Sequence, residues 1–183
     1  MSALRLLCAF AAIVGWTLQA AELDPDDQAE IHHVGKIRIV DPWAKSAVGS
    51  GHTAKLFFEF HNLGDNPDRL LDVRAALANG STRFHAVVVS GGERRVKTIQ
   101  ALEIPVSDSI FELSEVGYYI ELYDLDVPML MGKRFPVELT FENAGNAIIE
   151  FTARFHSPKL TRRIREAASR GDVEALKAMR PVR

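Results

Sequence analysis

Thr82-Arg83-Phe84-His85-Ala86-Val87-Val88-Val89-Ser90-Gly91-Gly92-Glu93-Arg94-Arg95-Val96-Lys97-Thr98-Ile99 is the stretch that decides the fold. Side chains alternate across a strand, so Phe84, Ala86 and Val88 share one face and His85, Val87 and Val89 the other. Ser90-Gly91-Gly92 then turns the chain into Arg94 to Ile99, a hairpin signal. The same period of two recurs on either side. Lys55 to His61 puts Leu56, Phe58 and Phe60 together, and Tyr118 to Leu125 does so with Tyr118, Ile120 and Leu122. Ser109 to Leu113 reads as a further strand. Val137, Leu139 and Phe141 form the apolar face of another, and Asn143 to Asn146 turns into a last one, Ala147 to Phe155. With no long helical period in this body, the pattern predicts an all-β sandwich or barrel. Pro42 and Pro105 suit strand ends, where a missing N–H is tolerated.

The chain has 183 residues, enough for one domain with extensions. Residues 1–21 read as a signal peptide: Arg5, an apolar run from Leu6 to Trp16, and a small-residue exit at Gln19-Ala20-Ala21. That run is too short to span a bilayer, so the mature chain is expected to have no transmembrane span. Cys8, the one cysteine, follows Leu7 inside the run rather than a small residue at its end, which argues against lipidation. The mature protein then has no thiol for a disulfide, a metal or a nucleophile. Residues 22–36 read as a flexible acidic leader, 37–156 as the β domain and 157–183 as a basic helical tail. The net charge of −2 argues against nucleic-acid binding. From Ser157 on, however, eight Lys/Arg face three Asp/Glu, which predicts docking on the acidic body or a partner for the tail. In the tail Leu160, Ile164 and Ala167/Ala168 share a helical face. Asp172 after Gly171 caps a second helix carrying Val173, Leu176 and Met179. Glu166 to Leu176 resembles the helix-turn-helix of an ankyrin repeat, and without a second copy its apolar face needs cover from the sandwich or from another molecule.

Several blocks carry a wider resemblance. They are Asp41-Pro42-Trp43-Ala44-Lys45, Asn62-Leu63-Gly64, Asp68-Arg69-Leu70, Phe84-His85, Leu102-Glu103-Ile104-Pro105 and Leu139-Thr140-Phe141-Glu142-Asn143-Ala144-Gly145. In this order, from Ile37 to Phe155, they resemble the periplasmic copper chaperones of the PCu(A)C type. The resemblance implies a Greek-key, cupredoxin-like β-sandwich, a periplasmic location and delivery of Cu(I) to cytochrome oxidase. It also implies a site of two His and two Met. His85 matches the first ligand. Val96, or its neighbour Arg94, stands for the first methionine, Tyr119 for the second histidine and Glu121 for the second methionine.

Imidazoles and thioethers suit Cu(I), and valine offers no lone pair. His85 with Glu121 and Tyr119 would make a harder N/O site, better suited to Cu(II) or Zn(II) than to Cu(I) copper. The plainer alternative is a partly buried strand histidine bonded to Glu121 or a tyrosine hydroxyl. Met129 and Met131 in a loop Met-x-Met are weaker candidates, for which core packing is the competing reading. His32-His33, just before the first strand, could bind Cu(II), whereas His52, His61 and His156 suggest no role. No Gly-x-Ser-x-Gly, phosphate loop, dinucleotide fingerprint or His-Glu-x-x-His occurs, so no enzyme is expected. Two functions follow: metal handling or maturation of a respiratory copper centre with an altered site, or a periplasmic interaction module that kept the fold and lost the metal.

Overall fold

A computed structural model describes residues 28–45, 52–79, 82–106, 111–114 and 116–179. The signal-peptide stretch, residues 22–27 of the acidic leader and the last four residues of the tail lie outside the described residues. The strands are β1 Ile31–Val34, β2 Ile37–Lys45, β3 Ala54–Asn62, β4 Asp68–Ala75, β5 Thr82–Ser90, β6 Glu93–Ile99 and β7 Leu102–Ile104. After them come β8 Phe111–Glu112, β9 Tyr118–Leu122, β10 Arg134–Phe141 and β11 Asn146–Arg154, then helices α1 Pro158–Ser169 and α2 Val173–Ala178.

The hydrogen-bonded order is β6-β5-β9-β3-β2-β11-β10-β4-β7, with β1 added to β2 and β8 to β3. Every pairing is antiparallel except β11 with β2. Both ends of this order feed one core, since Phe84 and Ile120 share a buried cluster with Leu70 and Leu102. The sheet therefore folds over on itself, giving the expected cupredoxin-like β-sandwich with a short helical C-terminal extension. Rings from the two long central hairpins fill it. Phe58 meets Phe151 edge-on at 5.5 Å and Phe60 meets Phe141 at 6.1 Å, each buried Phe contributing about 1.5–3 kcal/mol.

Two turns show why the chain reverses where it does. Gly91 and Gly92 take φ +61° and +82°, and Ser90 pairs with Glu93 across them, the two-residue reversal whose twist suits a hairpin. Gly35, at φ +55°, turns β1 into β2, and a Cβ there would meet Ala144 at 3.2 Å. This turn corrects the leader boundary: residues 31–34 are a strand, because Val34 is buried and Ile31 to Val34 pair with Val40 to Ile37. His32 and His33 thus lie within a strand rather than before one.

Two of the motif residues away from the candidate ligand positions are staples of the loops. Asp68, 4 % exposed, accepts from the backbone N–H of Arg69 at 2.7 Å, Asn143 at 3.0 Å and Ala144 at 2.8 Å. It ties the turn after β10 to the start of β4. Asn62 donates to the carbonyls of Asn66 and Ile104, at 2.9 and 3.3 Å, and accepts from Gly64 N–H at 3.0 Å.

At Asp41 the β2 strand shifts register. Residues before it pair with β1 and those after it with β11, so one bulge hands the strand from one neighbour to another. Asp41 has φ +52° and is buried. It accepts from Glu30 N–H at 3.0 Å and from the guanidinium of Arg162 on α1. Lys159 reaches Glu59 at 3.2 Å and Glu112 at 3.7 Å. Ser157 caps α1, Asp172 caps α2, and Ala167 is the buried member of the helical face, Ala168 being exposed.

Candidate metal centre

His85 and Tyr119 are direct partners in the β5–β9 ladder, as are Arg83 and Glu121. Period two then puts His85, Tyr119, Glu121 and Tyr123 on one face. Strand β6 completes that face. Val96 lies opposite Val87, Arg94 opposite Val89 and Thr98 opposite His85, so Val96 projects on the His85 side, diagonal to it.

The imidazole is 7 % exposed. Its Nε2 lies 3.3 Å from Glu121 Oε2 and 3.3 Å from the Tyr123 hydroxyl, which itself donates to Glu121 Oε2 at 2.6 Å. Nδ1 is buried without a hydrogen-bond partner. The Tyr119 ring stacks on the imidazole, centroids 4.8 Å apart and planes 25° apart. Tyr119 thus meets His85 with its ring face, and the oxygen beside the imidazole comes from Tyr123. Period two already sets Tyr123 beside Tyr119 and Glu121, but alternation alone does not tell which of the two phenol oxygens reaches His85. Two cations flank the group: Lys55 Nζ stands 4.8 Å from the Tyr119 centroid and the Arg83 guanidinium 4.5 Å from that of Tyr123.

Burial lowers the His85 pKa, and Arg83 and Lys55 push the same way against the attraction of Glu121. The neutral imidazole, the form that binds metals, is therefore favoured. Burial also raises the Tyr123 pKa, helped by its hydrogen bond to Glu121, so its hydroxyl remains a donor.

The remaining candidates do not converge. Met129 is 0 % exposed and belongs to the core cluster, whereas Met131 is 63 % exposed. The segment is a turn rather than a strand, and Met131 faces solvent in it. His32 pairs with Glu30 at 2.9 Å, His52 bonds the Leu125 carbonyl and His61 accepts from Arg38. Among the described residues, no group of three or more His, Cys, Asp or Glu is arranged to hold a metal ion. The donors gathered at His85 are one imidazole, one carboxylate and phenol oxygen, with no thioether. Such a set fits a hard or borderline divalent ion better than Cu(I).

Residues 37–153 match the profile of the family described as "Putative lipoprotein LpqE-like". The chain belongs to the LpqE-like family. Among solved structures, this LpqE-like chain is 27 % identical to the copper-bound PCuAC domain from PmoF2, with a TM-score of 0.58 over 68 % of this chain and 97 % of that one. The apo form of the PmoF2 domain is 28 % identical, with a TM-score of 0.56 over 70 % and 96 %. The Cu(I) form of DR1885 from Deinococcus radiodurans is 19 % identical, with a TM-score of 0.54 over 69 % and 82 %, a likeness of fold alone. No curated protein sequence matches the chain. The LpqE-like chain thus has the fold of a PCuAC-type copper chaperone.

Proposed function

We propose that this LpqE-like protein is an exported, copper-chaperone-like carrier whose metal position has been rebuilt from soft to hard donors. The observation that carries the reading is Glu121 Oε2 3.3 Å from Nε2 of His85 on the same sheet face, His85 being the residue that the sequence resemblance matches to a first copper ligand. Likeness to a copper-bound domain supports it. In this reading the metal is cargo, His85 and Glu121 take Cu(II) or Zn(II), Tyr123 or Tyr119 contributes an oxygen, and Cu(I) binds weakly. The role is binding and transfer rather than catalysis, and the proposed client is a respiratory copper centre such as that of cytochrome oxidase. Periplasmic delivery would follow from cleavage of residues 1–21.

A second reading, a periplasmic interaction module without metal, is favoured by Lys55 and Arg83, whose charges oppose a bound cation. Titration of the purified protein with Cu(II), Zn(II) and Cu(I), repeated on His85→Ala and Glu121→Gln, separates the two. Stoichiometric divalent binding that both substitutions weaken supports the carrier. Absence of any such binding leaves the interaction module.

A further inference from the structure

Strand β6 is one of the two ends of the strand order, the other being the three-residue β7: among the described residues it pairs with β5 alone. It is exposed along its length, with only Ile99 half-buried. Which of its backbone groups point outward follows from one hydrogen bond. Val87 N–H donates to Gly117 O at 2.7 Å, on the β9 side of β5. In an antiparallel ladder a residue's N–H and C=O point the same way, and opposed pairs alternate between bonded and non-bonded. Val87 and its partner Val96 therefore exchange no backbone hydrogen bonds, and the N–H and C=O of Val96 face the open edge. By the same alternation so do those of Arg94 and Thr98.

We propose that β6 is a strand-addition site for an extended, acidic segment of a client protein. Exposed edges of this length invite pairing, and side-chain charge selects the partner. A second copy of this chain is disfavoured, because antiparallel pairing centred on Val96 sets Arg95 against Lys97 at both ends, and opposed like charges destabilise a ladder. An acidic strand reverses that sign. Val96, 56 % exposed, stands on the His85 face beside half-buried Val87 and exposed Val89, while Arg95 and Lys97 project from the other face. The complementary sequence alternates: acidic side chains toward Arg95 and Lys97, apolar ones toward Val96. The apolar row of such a guest lies on the same face as His85, two strand spacings away, roughly 10 Å. The site holds whether or not His85 takes a metal, so its failure and that of the carrier reading are separable.

The probe is a short fluorescein-labelled peptide of alternating Glu and Val, titrated into the protein by anisotropy against its Lys–Val counterpart. We expect the Glu–Val peptide to bind, the Lys–Val peptide not to, and the amides of Arg94, Val96 and Thr98 to gain protection from hydrogen exchange. Val96→Pro removes one outward N–H without touching the β5 ladder and should weaken binding about fivefold or more, the worth of one main-chain hydrogen bond. The double substitution Arg95→Glu with Lys97→Glu should exchange the preference for the two peptides. It leaves the backbone intact and decides the matter should Val96→Pro prove unfolded by circular dichroism. Absence of Glu–Val binding overturns the proposal. So does binding that a folded Val96→Pro leaves unchanged, or binding in which the β6 amides gain no protection.

Discussion

Asp68 shows what a single buried carboxylate contributes when its partners are backbone amides. It satisfies three N–H groups from two separate segments, and Asp68→Ala leaves all three without this acceptor, at about 3 kcal/mol in total by urea denaturation. His85 carries a different signature. Its pKa, like that of His61, is lowered from 6.5 mainly by burial, with Arg83 and Lys55 adding at His85 and Arg38 at His61. The unfolded chain then takes up protons that the folded chain refuses. Stability from these two groups is present above pH 6.5, the unfolded value, and is lost as pH falls below it until the folded imidazoles protonate. Denaturation curves collected downward from neutral pH should show this slope, and His85→Gln with His61→Gln should flatten it. At the metal position, Val96→Met, Tyr119→His and Glu121→Met together should raise Cu(I) affinity by several decades, each decade being about 1.4 kcal/mol. Competition against a colorimetric chelator measures it. Unchanged Cu(I) affinity in the triple variant would mean that the three backbone positions no longer converge on His85. Tyr119 and Glu121 share a face in the sequence because strand period is local, whereas His85, on another strand, joins them there only through the family resemblance. Stacking of Tyr119 and the approach of Tyr123, Lys55 and Arg83 depend on rotamers and on the neighbouring strands, which no short-range pattern encodes.

Among the elements, the β5–β6 hairpin was the most legible, since its alternation and its Gly-Gly turn agree. β1 was the least so, because four residues with two histidines carry too little periodicity to separate from a leader. Helix α1 could be read from its apolar spacing and α2 from that spacing with its Asp172 cap. Their attachment could not, because it rests on Arg162 finding Asp41 and Lys159 finding Glu59, 121 and 100 residues away. Deleting residues 157–183 should leave the β-sheet circular dichroism intact and lower stability by about 2–3 kcal/mol, since little of the tail beyond Pro158 and Ala167 is buried. Arg162→Ala in the intact chain should cost a comparable amount by itself, because it strips the charge partner from buried Asp41 while α1 still covers it. Asp41→Asn in the Arg162→Ala background should recover part of that loss. Equal stability of Arg162→Ala and the parent protein would show the contact to be energetically idle.

For the whole molecule, motif order made the sandwich legible and left strand connectivity to the resemblance, because pairing between distant segments leaves no local trace. Processing belongs to this scale as well. Cleavage after Ala20 or Ala21 removes Cys8, so the intact mass of the exported protein should be that of a thiol-free chain beginning near Glu22. A mass that retains Cys8 with an added diacylglycerol would instead make the protein a lipoprotein and overturn the signal-peptide boundary. The parallel pairing of β11 with β2 sets Trp43 beside Thr152, so the body's second strand waits for its last. A chain still leaving the ribosome or a translocation pore has no β11 to close the sheet. Until then its central strand exposes one edge, and the core cannot dry. Closing the sheet therefore requires β11, and its pairing with β2 spans a much longer loop than any of the hairpins, a contact that forms more slowly. If residues 1–21 direct export of the unfolded chain, that wait for the last strand keeps the passenger pliable until it has arrived.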